Sequence, residues 1–79
     1  MEGLRISIRA AEESSLTVMF EPSGMTYDLG PNEAVHATVV DRDGGDEIRI
    51  EQWNGGISVW PPGNVITSDA DGNELHRLP

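Results

Sequence analysis

Two acidic turns carry the residues best suited to chemistry. Asp41-Arg42-Asp43-Gly44-Gly45-Asp46-Glu47 places four carboxylates within seven positions. Asp69-Ala70-Asp71-Gly72-Asn73-Glu74 adds three carboxylates and an amide. Calcium takes six to eight oxygens from closely spaced carboxylates and carbonyls, so Asp41, Asp43, Asp46, Asp69 and Asp71 are the candidate metal ligands. Neither turn has its glycine at the sixth position of a helix-flanked calcium loop. Asp-Gly and Asp-Gly-Gly also form tight turns unaided, because glycine accepts positive φ. Plain turns are therefore the expectation, with calcium or a small ligand as the alternative.

The second candidate is His36. Strand pairing set by the neighbouring turns puts it opposite Glu51, where a carboxylate could orient the imidazole as a general base. No Ser or Cys stands in a nucleophile frame; Ser23 lies in Pro22-Ser23-Gly24 without the flanking glycines of a nucleophile elbow. A surface cross-strand pair is the plainer meaning of His36 and Glu51, and no catalytic residue is expected. His76 reads as an exposed residue near the end of the chain.

The third candidate is a binding face. Trp53 and Trp60 fall on the side of their strands away from Ile48, Ile50 and Val59, beside Arg49 and Glu51. Trp and Arg are enriched where proteins grip one another. Arg49, Trp53, Trp60, Glu51 and His36 are the expected partner-binding residues.

These side chains are positioned by strands, because the apolar period is two throughout. Leu4, Ile6, Ile8; Leu16, Val18, Phe20; Met25, Tyr27, Leu29; Val35, Ala37, Val39; Ile48, Ile50; and Ile57, Val59 each alternate with mostly polar neighbours. Turn residues separate them, from Pro22-Ser23-Gly24 to Asp71-Gly72. A type I′ turn at Asn54-Gly55 sets Trp53 against Gly56, Glu51 against Ser58, Ile50 against Val59 and Arg49 against Trp60. A four-residue loop at Arg42–Gly45 sets Val39 against Ile48, Ala37 against Ile50 and His36 against Glu51. A loop at Ala11–Glu13 sets Ile8 by Leu16 and Ile6 by Val18. In all three hairpins the apolar residues share one face, and a one-residue slip would scatter them. The expected fold is all-β: a small antiparallel sandwich or partly closed barrel of seven to eight short strands, one domain over residues 1–79. The strand near Asn73–Leu78 has the weakest pattern.

Composition narrows the function. The 79 residues hold 14 acids against five arginines and no lysine, a net charge of −9. That charge disfavours nucleic-acid backbones and anionic membranes. Without cysteine there is no disulfide, thiolate nucleophile or thiolate metal site. Leu, Ile, Val and Phe make up about 23% of the chain, just above the level at which disorder is the default. No apolar run approaches a membrane span or a secretory leader, so a cytoplasmic protein is expected, with no cofactor. In an alternating succession of strands the acids bracket the domain. Glu12, Glu13, Glu33, Asp69 and Asp71 gather at one end; Glu21, Asp41, Asp43, Asp46 and Glu47 gather at the other. Arginine without lysine also fits a GC-rich coding bias, and an acidic surface fits a halophile.

The stretch Leu16-Thr-Val-Met-Phe-Glu-Pro-Ser-Gly-Met-Thr-Tyr-Asp-Leu-Gly-Pro-Asn-Glu33, with Gly56-Ile-Ser-Val-Trp60, resembles small uncharacterised bacterial proteins of about this length. The shared pattern is a strand ending in Glu-Pro, a Tyr-containing strand and a Pro-x-Glu turn. The resemblance implies a compact β domain and assigns no functional residue. The expected function is a non-enzymatic acidic module that binds a basic protein partner. Its alternatives are a metal- or small-ligand-binding domain, or a charge mimic that blocks a nucleic-acid-binding protein.

Overall fold

The computed structural model describes residues 4–42 and 45–79, so Asp43 lies outside the described residues. These residues form eight strands and no helix. They are β1 (Leu4–Arg9), β2 (Leu16–Phe20), β3 (Met25–Leu29), β4 (Ala34–Val39), β5 (Arg49–Trp53), β6 (Gly56–Trp60), β7 (Val65–Ser68) and β8 (Glu74–Leu78). Two four-stranded sheets face each other, in the orders β1-β4-β7-β8 and β3-β2-β6-β5. The sheets do not close into a barrel, so the sandwich form of the all-β fold is the one adopted.

The alternating residues supply the core. Val18, Phe20, Leu29 and Val59 from one sheet meet Val35, Ala37, Val39, Val65 and Leu78 from the other. The polar residues between them turn outward, the ordinary division of labour in a sandwich. No helix among the described residues is long and apolar enough to cross a membrane.

Two of the three expected hairpins are replaced by other pairings. β1 lies against β4, not β2, with Leu4 opposite Val39, Ile6 opposite Ala37 and Ile8 opposite Val35. β4 takes β7 as its second neighbour, not β5. The expected His36–Glu51 contact is therefore absent, because the two residues lie in different sheets. β2 pairs in parallel with β6, Val18 beside Ile57 and Phe20 beside Val59, a junction that local patterns do not disclose.

The β5–β6 hairpin has the expected register at every position, from Arg49–Trp60 to Trp53–Gly56. Its turn differs in type. Gly55 has φ of +90°, while Asn54 is not in the left-handed region. Positive φ at the second central residue alone is the pattern of a type II turn, not I′.

The loops gather at two ends. Ala10 N–H donates to Glu33 O and Asn32 N–H to Ala11 O, both at 2.9 Å, which joins the β1–β2 and β3–β4 loops. At the opposite end Val40 N–H donates to Asn64 O at 2.9 Å, joining the β4–β5 and β6–β7 loops.

Candidate functional site

The outer face of the sheet β3-β2-β6-β5 brings together four of the expected residues. Because Val18, Phe20 and Val59 point into the core, their strand neighbours point out. One cross-strand row reads Trp53, Gly56, Thr17, Asp28; the next reads Glu51, Ser58, Met19, Thr26. Arg49 and Trp60 open a third. The first row is tied by Thr17 Oγ1 donating to Asp28 Oδ1 at 2.8 Å.

Each indole is held by a specific contact. Trp53 lies across Gly56: a Cβ on that glycine would stand 2.6 Å from the ring's Cζ3. An aromatic ring covering a strand glycine shields backbone that has no side chain of its own. Trp53 Nε1 also donates to Ser58 Oγ at 2.9 Å, fixing the ring flat on the sheet. Trp53 remains 38% exposed. Trp60 lies beneath Arg49, whose guanidinium carbon is 4.7 Å from the ring centroid. That cation–π contact is worth about 0.5–1 kcal/mol at an exposed site. Trp60 is half-buried, and its Nε1 is shielded with no acceptor among the described residues. Arg49 Nε also lies 3.8 Å from Glu51 Oε2, a loose, exposed pair that adds little. Glu47, Arg49, Trp60, Pro61 and Pro62 line a shallow cleft of about 240 Å³ at this end of the face.

His36 is not part of this group. It sits on the outer face of the other sheet, opposite Ser7 and Ser68, with Ser7 Oγ and His36 Nδ1 2.7 Å apart. Among the described residues no carboxylate is bonded to it, and Glu51 lies in the other sheet, which removes the base-like geometry expected of His36 and Glu51.

The acidic turns use their carboxylates locally. Asp69 Oδ1 accepts the N–H groups of Asp71 and Asn73, each at 2.9 Å, and Oδ2 accepts Asn73 Nδ2 at 3.2 Å. The Asn73 backbone bond, followed by its side chain, holds the Asp69 carboxyl below the usual carboxylate range. Asp46 pairs with Arg42 at 3.0 Å, and Asp41 Oδ1 accepts Asn64 N–H at 3.4 Å. Among the described residues no group of three or more His, Asp or Glu side chains is arranged to hold a metal ion.

A polar link between the sheets escaped the sequence reading. Tyr27 OH lies 2.6 Å from Thr67 Oγ1 and 2.9 Å from His76 Nδ1. Thr67 is fully buried, and its hydroxyl also accepts His76 N–H at 3.1 Å. The alternation of β3 put Tyr27 inward, but nothing local paired β3 with the end of the chain. Beside this link a cleft of about 570 Å³ opens, with Arg9, Asp28, Glu33, Asp69 and Asp71 among its lining residues.

Burial raises the Tyr27 hydroxyl above its ordinary value of 10.0, against a smaller opposing effect from Thr67. The unfolded chain therefore ionises first, and stability falls as pH climbs from about 10 toward the folded value. The chain has one tyrosine, no lysine and no cysteine, so no other side chain titrates there. Urea midpoints at about pH 8 and about pH 11 are expected to drop for the wild type and to change less for Tyr27→Phe. Equal drops in both proteins would dissociate the alkaline loss from this hydroxyl.

No family model, curated protein or solved structure matches the chain, so its function is argued from the site.

Proposed function

We propose that this chain is a non-enzymatic, acidic, protein-binding module that recognises a basic partner through the outer face of β5 and β6. The observation that carries the reading is the pair of indoles fixed on one open sheet face. Trp53 is anchored by Ser58 over Gly56, and Trp60 is stacked under Arg49. Rigid aromatic anchors ringed by polar groups are the usual energetic centre of a protein interface. The net charge of −9, carried largely on loops at both ends, speeds encounter with a cationic surface. The proposed setting is the bacterial cytoplasm; a chain without cysteine needs no oxidising compartment.

The test is Trp53→Ala. Losing the Ser58 hydrogen bond and the cover over Gly56 is expected to cost about 1–2 kcal/mol, which leaves the domain folded. Capture of partner from source lysate is expected to be lost. Retained capture by the folded variant would remove this face from the reading. If that residual capture also collapsed between low and moderate salt, charge alone would be responsible, as in a mimic of nucleic acid.

A further inference from the structure

β5 is an open edge. It ends its sheet, and all five of its residues are exposed. Ile50 stands 54% exposed although it lies on the core side of the sheet. Thr17 N–H donates to Gly55 O at 3.1 Å and Glu21 N–H to Val59 O at 2.9 Å. The backbone groups of Gly55, Ile57 and Val59 therefore face β2, and those of Gly56, Ser58 and Trp60 face β5. Their partners Trp53, Glu51 and Arg49 complete the β5–β6 ladder. Ile50 and Gln52 are left with their N–H and C=O groups directed away from β6, a ready template for another strand.

We propose that a second copy of this chain fills that edge, the two β5 strands pairing antiparallel about a two-fold axis at Ile50. In this register Ile50 meets its own counterpart, and each exchanges N–H and C=O bonds with the other. Arg49 of each chain then faces Glu51 of the other, at the non-hydrogen-bonded positions where side chains approach most closely. The exposed isoleucines cover one another, and two four-stranded sheets become one of eight strands. Both outer faces stay open, so the dimer presents two copies of the Arg49–Trp60–Trp53 surface side by side. The dimer does not depend on the partner proposed above, because it forms from the purified chain alone.

Charge placement singles out β5 among the four edges. A symmetric antiparallel pair joins only residues that share a strand face, so opposite charges must stand an even number of positions apart. Arg49 and Glu51 do. On β1, centring on Ser7 sets Arg5 against Arg9 of the other copy, and no register there joins opposite charges. β3 carries only Asp28. On β8 a register shift between Thr67 and Ser68 sets Glu74 opposite Ser68 and Arg77 opposite Ile66, so the two share a face. They stand three positions apart, an odd spacing that a regular symmetric ladder does not join, and already bond to each other at 2.9 Å.

Sedimentation equilibrium of the purified chain, at moderate salt to screen the −9 charge, is expected to show a monomer–dimer equilibrium. Arg49→Glu and Glu51→Arg each set like charges opposite one another, and each is expected to weaken self-association by about tenfold or more. An equimolar mixture of the two variants is expected to restore association, as is the double swap. Ile50→Pro removes only an outward N–H and serves if a charge variant fails to fold by circular dichroism. A wild type that stays monomeric at every concentration overturns the proposal. So does a dimer that ignores the charge variants, or a mixture no stronger than its components.

Discussion

Phe20→Ala is expected to leave much of the protein unfolded at room temperature. Phe20 is 1% exposed and the largest fully buried side chain among the described residues. It sits on β2, in register with Met25 on β3 and Val59 on β6. Its ring meets Tyr27 edge-on, centroids 5.8 Å apart at 81°. Emptying that position costs about 3–5 kcal/mol, because the lost transfer energy is compounded by the cavity left behind. A domain of this size has on the order of 5 kcal/mol in all. Phe20→Leu keeps most of the volume and is expected to cost under about 1.5 kcal/mol. Urea melts of the three proteins check the pair. A Phe20→Ala midpoint above half the wild-type value would mean that the two sheets do not depend on this ring.

Alternation made the strands legible, but not their partners. Leu4, Ile6 and Ile8 fit the apolar face of β2 in the expected hairpin, and they fit Val39, Ala37 and Val35 equally well in the observed ladder. Period-two patterning fixes which face a residue joins and leaves open which strand of matching parity lies beside it. The choice between sheets is made by crossovers. The β1–β2 and β3–β4 loops bond to each other, as do the β4–β5 and β6–β7 loops, and such contacts are invisible to local patterns. At Asn54-Gly55 the loop is too short to leave the sheet, and there the expected register holds residue for residue.

The same division governs the candidate site. Arg49, Glu51, Trp53 and Trp60 were legible as one group because they belong to a single tight hairpin. His36 was grouped with them through a hairpin that does not form. The Tyr27–Thr67–His76 link joins residues up to 49 positions apart, through a pairing of sheets rather than of neighbours. The positive φ of Gly55 was legible in Asn-Gly, whereas the indole lying over Gly56 was not.

Gly63→Ala is expected to be the most damaging of the loop substitutions, costing about 3 kcal/mol, for a reason unrelated to glycine's conformational freedom. The chain leaves one sheet at Trp60 and enters the other at Val65 through Pro61-Pro62-Gly63-Asn64. A Cβ on Gly63 would drive into the Asp41 carbonyl oxygen and stand 2.7 Å from its carbonyl carbon. Asp41 has little room to retreat. Val40 N–H donates to Asn64 O at 2.9 Å, and Asn64 N–H is directed at Asp41 Oδ1 at 3.4 Å. Moving the backbone aside breaks the bonds that join the two crossovers. Gly24 gives the contrast: its φ is +78° and a Cβ there meets open space. Gly24→Ala therefore costs only the backbone strain, about 1–2 kcal/mol. In the sequence, Pro-Pro-Gly and Pro-Ser-Gly look like equivalent turns; the packing separates them. Urea melts are expected to rank wild type above Gly24→Ala and Gly24→Ala above Gly63→Ala. The loop begins at Trp60, so Gly63→Ala is also expected to shift that indole's fluorescence as its stack with Arg49 loosens. A Gly63→Ala protein as stable as Gly24→Ala would show that the two crossovers are not packed against one another, and the β4–β7 pairing they anchor would have to be redrawn.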